Sequence, residues 1–114
     1  MLNINMEFVR GMLFIRLEGK LNNETCIELK RCIDKMIYEK ELRYFVINLE
    51  KLDYIDDLGL RLLIDRYLDI TLHDGRLIIC GYDNKNSNNI RLSNLFNKIE
   101  HTNNELNALK LINY

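Results

Sequence analysis

Two hydrophobic periods share this chain. Asn3 to Val9 and Met12 to Leu17 read as strands, with Leu13, Ile15 and Leu17 alternating with Met12, Phe14 and Arg16. Arg10-Gly11 between them suits a tight hairpin turn. Glu18-Gly19-Lys20-Leu21 is expected to leave the strand. Asn22 then reads as a helix N-cap, with Glu24 in the first turn favoured by the helix dipole. Cys26, Leu29, Ile33, Met36 and Ile37 fall at helical spacing and give one apolar face, and the helix should end near Lys40. Tyr44 to Leu49 is a nearly continuous apolar run, the pattern of a central strand covered on both faces.

The stretch from Leu49 to Leu63 organises the rest. Asp56 and Asp57 sit where a second helix should begin, and Asp is a favoured N-cap because its oxygen accepts an orphan N–H of the first turn. Gly59 allows close approach to that turn. Leu60, Leu63, Ile64, Tyr67 and Leu68 predict the buried face of this helix, and Asp65, Arg66 and Asp69 its wet side. His73-Asp74-Gly75 stops it, with Gly75 expected as a left-handed cap. Arg76 to Gly81 is another buried strand. Tyr82 to Asn89 is polar and asparagine-rich and reads as a loop or weak helix start. Ile90 to Leu95 suits a short helical turn that Asn94 could end. Phe96, Ile99 and His101 predict a short edge strand. Thr102-Asn103-Asn104-Glu105 fits a capping box, with Thr102 at the N-cap and Glu105 at N3. A last helix follows, with Leu106, Leu109 and Ile112 facing inward.

Strand, helix, strand, helix, strand is the α/β signature. At 114 residues the chain suits a single domain, 1–114, and 47% hydrophobic residues suffice for one core. A net charge of -1, with both signs interspersed, gives no basic face for nucleic acid or membrane. No apolar run is long enough to span a bilayer, and the N-terminus lacks the pattern of a secretory signal. Cys26, Cys32 and Cys80 form no metal-ligand spacing and read as reduced thiols in a cytoplasmic protein.

Asp53, Asp56 and Asp57 admit two readings. One is a magnesium cluster or acid/base pair. The other is a cap plus a solvated loop acid, favoured because no Thr or Ser stands nearby to complete a hydrolase-like site. His73 and His101 read as ends of elements. There is no phosphate-binding glycine loop and no nucleophile elbow, so no cofactor, metal or enzymatic activity is expected. The turn lies at the carboxyl end of a buried strand, where open α/β sheets place their sites, and a binding module is the leading class.

The chain resembles the STAS domain family, of the anti-sigma factor antagonist type and closest to its sporulation branch. Gly19-Lys20-Leu21-Asn22 followed by Thr25 is similar to that family's Gly-x-Leu-Asp-x-x-Thr. Asn48-Leu49-Glu50-Lys51-Leu52 is similar to its strand and turn. Ile55-Asp56-Asp57-Leu58-Gly59-Leu60 is similar to its apolar-Asp-Ser-Ser-Gly-Leu motif, and Ser93-Asn94-Leu95-Phe96 to a Ser-Gly-Leu-Phe. The resemblance implies a mixed sheet of four to five strands with about four packed helices. It implies a protein that binds an anti-sigma factor of serine-kinase type and thereby frees a sigma factor, until phosphorylation of the motif's first serine releases it. It places partner contacts at Asn22, Thr25, Asp56, Asp57, Leu58, Gly59 and Leu60, and it allows a weak homodimer. The departures are specific. Asp57 stands at the phosphorylated serine, Leu58 at the next one, and Asn22 at the family's Asp. No Ser or Thr occurs from Lys51 to Ile70. Asp57 then either imitates phosphoserine or leaves the protein permanently competent. The alternative is a scaffold or regulatory subunit of a lipid transporter or stress-signalling complex. A small-ligand sensor is a third reading. Gene neighbours, a kinase-like anti-sigma factor or a transporter, separate the first two.

Overall fold

The structure, a computed structural model, describes residues 1–81 and 97–113, with side chains to 112. Four strands form one sheet in the order of their appearance: β1 (Leu2–Val9), β2 (Met12–Leu21), β3 (Tyr44–Ile55) and β4 (Arg76–Cys80). β1 and β2 are antiparallel; β2, β3 and β4 are parallel. Three helices are seen among the described residues: α1 (Cys26–Tyr38), α2 (Asp57–Leu72) and α3 (Glu105–Asn113). The mixed α/β sheet therefore agrees with the expected class.

The hairpin turn needs two residues with positive φ, and Arg10 (53°) and Gly11 (82°) supply them. Arg10 accepts the strain because a two-residue loop must match the twist of its strands. β2 and β3 run on past the points where alternation stops. Asn48 lies opposite Arg16, yet Lys51 lies opposite Glu18, and Leu52 opposite Gly19 gives way to Tyr54 opposite Lys20. Each shift inserts one extra residue into β3, as in a β-bulge. The bulges break the period of two, which hides from the sequence that Glu18–Leu21 and Glu50–Ile55, expected as turn and loop, are strand. Asn48 supports the first bulge, its Oδ1 accepting from the Glu50 N–H at 2.8 Å.

The core divides at the sheet. On one face Leu13, Ile15, Leu17, Phe45, Ile47, Leu49, Leu77 and Ile79 pack with Leu29, Ile33 and Ile37 of α1 and Leu62, Leu63 and Ile70 of α2. On the other, Met12, Phe14, Val46, Ile78 and Cys80 pack with Ala108 of α3. β3 is thus covered on both faces at Phe45–Leu49, as its apolar run predicts.

Several helix expectations are corrected. In α2, Leu62 and Ile70 are buried while Leu68 is exposed. Of its supposed wet side only Asp65 is exposed. Arg66 reaches from α2 to Asp34 of α1 and also meets Asp69 at 3.2 Å, and Asp69 accepts from the Tyr38 hydroxyl at 2.6 Å. These partners turn the middle of that side inward. At the end of α2 the left-handed residue is Asp74 (φ 60°), not Gly75. Gly75 is required for another reason: a Cβ there would strike the backbone oxygen of Arg43. Ile99 is buried, but the expected edge strand reduces to one parallel bridge between His101 and Ile79. The readings of Tyr82–Asn89, Ile90–Leu95, Phe96 and the Ser93–Phe96 motif fall outside the described residues.

α3 also begins differently. Asn104 caps it, its Oδ1 accepting from the Asn107 N–H at 2.8 Å, so Thr102 is not the cap. Glu105 does not turn back to close a capping box because its carboxylate is engaged across the sheet by Arg16 and Asn48. Ala108 faces inward, flanked by half-buried Leu109 and Ile112, and Leu106 is exposed.

Candidate functional site

The end of β2 and the end of β3 lie side by side, which brings two separate motifs together. Leu21 pairs with Ile55, and the Leu21 carbonyl accepts the Asp56 N–H at 3.1 Å. Asp56 then does two things. Its Oδ1 accepts from the Gly59 N–H at 2.8 Å, capping α2 as the sequence predicts. Its Oδ2 accepts from the Asn23 N–H at 3.0 Å, tying the α2 turn to the turn after β2. Gly59 is buried against that junction: an added Cβ would lie 2.7 Å from the Leu21 oxygen and 2.9 Å from Ile55 Cγ1. No side chain fits between them.

The second turn has its own closed network. Asn22 Oδ1 accepts from the N–H groups of Glu24 and Thr25 at 3.0 and 3.1 Å. The Asn22 N–H donates to Thr25 Oγ1 at 2.9 Å, and that hydroxyl donates to the Lys20 carbonyl at 2.8 Å. Asn22 therefore caps a turn rather than α1, which starts four residues later with Thr25 at its N-cap. The Asn22 side-chain oxygen closes this turn without bringing a charge to it.

The seven sequence-predicted residues thus occupy one region but divide into three kinds. Thr25 (6% exposed) and Gly59 are buried, Asn22, Asp56 and Leu60 are partly covered, and Asp57 and Leu58 (50%) are exposed. Asn23, Glu24 and Arg61 are exposed beside them. Asp57 occupies the first turn of a 16-residue helix, where a negative charge suits the dipole. Asp53 lies apart in β3, and among the described residues no group of three or more His, Cys, Asp or Glu is placed to hold a metal. Cys26 sits near enough to feel Asp56. Burial first, and then that carboxylate, push its thiol above the ordinary range.

Sequence reasoning missed Asn23, whose contribution is only its backbone N–H. It also missed a polar cluster on the α3 face. The Arg16 Nε and Nη2 donate to Glu105 Oε2 and Oε1 at 2.7 and 2.8 Å, and its Nη1 donates to Glu7 at 2.8 Å. Asn48 Nδ2 donates to Glu105 Oε2 at 2.8 Å. The Arg16 bond holds the Glu105 carboxyl below its usual range. A signal for this cluster was present: Arg16 follows Met12 and Phe14 on one strand face, and a cation on a buried face needs a carboxylate. Arg16, Asn48 and Glu105 line a cavity of about 690 Å³ together with Asn103 and Asn104. None of the residues at the Asp56–Leu60 turn lines it.

The STAS domain family matches residues 3–108, and the chain belongs to that family. It is 31% identical over 108 residues to an anti-sigma F factor antagonist of Paenibacillus polymyxa, covering 95% of this chain and 92% of the relative. A putative anti-sigma factor antagonist of Thermotoga maritima has a similar fold, with a TM-score of 0.85 at 15% identity over 97% of this chain and 95% of that one. So does the Bacillus cell fate determinant SpoIIAA in its phosphorylated form, at 0.72 and 21% over 96% and 99%.

Proposed function

From a STAS domain with this turn, we propose an anti-sigma factor antagonist whose partner is an anti-sigma factor of serine-kinase type. Binding frees a sigma factor and so regulates transcription by protein contact alone, without catalysis. The name of the Paenibacillus polymyxa relative supports this reading. The observation that carries it is the placement of Asp57 and Leu58, exposed on a base that Asp56, Gly59 and Leu21 hold rigid. The contact surface is Asp57, Leu58 and the outer parts of the Asn22–Thr25 turn. Thr25, Asp56 and Gly59 shape it.

Asp57 changes the switch. A carboxylate brings one charge and two acceptor oxygens, against nearly two charges and three oxygens for a phosphate. Burying that charge against a partner with no facing cation costs several kcal/mol. A partner with a Lys or Arg there binds well. A family-typical kinase partner is therefore expected to bind weakly and to transfer no phosphate, and Asp57→Ser to recover both.

The test is a binding titration with labelled-ATP transfer on wild type, Asp57→Ser, Asp57→Lys and Asp65→Lys. Asp57→Lys should alter binding, and Asp65→Lys, on the exposed side of α2, should not. Reversal at Asp56 would not serve, since it also breaks the cap and the tie to Asn23. Tight wild-type binding to a partner lacking the facing cation, or phosphate on wild type at Ser87 or Ser93, would overturn the proposal for Asp57. Equal effects at Asp57 and Asp65 would overturn the placement of the site.

A further inference from the structure

β1 is an edge strand, and among the described residues it pairs with β2 alone. Its Ile4, Met6 and Phe8 lie opposite Leu17, Ile15 and Leu13, so they share the face that carries the main core. Their exposure rises toward the hairpin: Ile4 is half-buried, Met6 is 40% exposed and Phe8 58%. The hairpin fixes where the backbone points. A two-residue turn makes Val9 and Met12 a hydrogen-bonded pair, so Val9, Glu7, Asn5 and Asn3 direct their N–H and C=O groups to β2. Phe8, Met6 and Ile4 direct theirs outward.

Natural sheet edges are guarded by Lys, Pro, bulges or an inward charge. Leu2–Val9 has no Lys and no Pro, and its register with β2 is unbroken. Its one charge, Glu7, lies on the opposite sheet face and is bound to Arg16.

We propose that β1 is a self-association edge, pairing antiparallel with β1 of a second copy about a two-fold axis at Met6. That register sets Ile4 opposite Phe8 and Met6 opposite Met6 on the helical face, extending one apolar stripe across both copies. On the other face Asn5 of each copy falls opposite Glu7 of the other, a donor against a carboxylate. Moving the axis to Glu7 would set two carboxylates opposite each other, which disfavours that register. The two-fold consumes both edges, so the assembly closes as a dimer. The Asp56–Leu60 turn is no part of this edge, and the proposal stands apart from the partner reading.

Sedimentation equilibrium from micromolar to millimolar chain tests it, on wild type, Met6→Lys, Met6→Pro and Leu72→Lys, alongside amide exchange on wild type. Proline at position 6 removes an outward N–H and spares the ladder to β2. Leu72 is another exposed leucine, at the end of α2. Wild type and Leu72→Lys should rise from 13.6 kDa toward twice that mass, and both Met6 variants should stay at 13.6 kDa with unchanged circular dichroism. Amide protection at Ile4, Met6 and Phe8 should grow about tenfold or more as dimer forms. If a Met6 variant fails to fold, the wild-type exchange decides. A monomer at every concentration, a dimer that survives both Met6 changes, or association without protection at these three amides overturns the proposal.

Discussion

On the α1/α2 side of the sheet, α1 and α2 lay Leu29, Ile33, Ile37, Leu62, Leu63 and Ile70 over buried aliphatic and aromatic residues of all four strands. On the other side, α3 sets Ala108 against Met12, Phe14, Val46, Ile78 and Cys80, and the strands then turn polar at Arg16 and Asn48. The first side is held by area removed from water, which has no direction and about 25 cal/mol per Å² behind it. The second has a smaller apolar cluster and adds an ion-pair network at Arg16 and Glu105, which is directional and partly exposed. The difference teaches where truncation, pH and local opening should each act.

The largest effect is expected on the first side. Ile47 is fully buried there, and Ile47→Ala should cost about 2–5 kcal/mol through lost transfer energy and a residual cavity. That is a large share of the roughly 5–15 kcal/mol of a domain this size. Urea unfolding that shows a loss below about half a kcal/mol would mean that this face is not the main store of stability.

Glu105→Gln should cost less, about 1 kcal/mol at neutral pH, because the bonds it weakens are charge-assisted but reach partly exposed groups. Its pH dependence is more diagnostic. The folded carboxyl is held below its ordinary value by Arg16. Its contribution is therefore full above the ordinary carboxylate range and is lost as pH falls through the depressed folded value. Wild type and Glu105→Gln should differ most near neutrality and converge in acid. A constant gap from neutral to acid pH, measured by thermal unfolding, would contradict the ion pair.

The smallest effect leaves stability untouched. Cys80 is buried under α3, and burial, with lesser contributions from Glu105 and Glu50, pushes its thiol up to about 12. Native protein should therefore react with a thiol reagent at Cys26 and Cys32 well before Cys80. Equal rates at Cys80 would show that α3 opens from its face in local fluctuations, sharpening the contrast with the α1/α2 side.

The asymmetry of the two faces was half visible in the sequence. The helical spacing of Leu29, Ile33 and Ile37 announced α1, and the run Tyr44–Leu49 announced a strand buried on both sides. The small core under α3 was hidden because its helix contributes Ala108, a residue without a strong periodic signal, while exposed Leu106 gave a false one. The turn at Asp56 was legible because an N-cap is a local arrangement of a side-chain oxygen and an N–H three residues on. That Asp56 also holds Asn23, 33 residues away, was not legible.

The sequence by itself determined what depends on neighbours along the chain. It specified strand and helix through their periods, the Arg10-Gly11 hairpin and the cap of α2. It also specified the chemistry available at the turn, an aspartate in the first turn of α2. Tertiary structure alone decided how far β2 and β3 extend, since bulges cancel the period of two that marks a strand. It decided that Asp74 rather than Gly75 takes the left-handed turn, and that Glu105 spans to Arg16 instead of capping its own helix. Each of those outcomes depends on which distant backbone or charge the register brings within about 3 Å, the reach of a hydrogen bond, and spacing along the chain does not encode that distance.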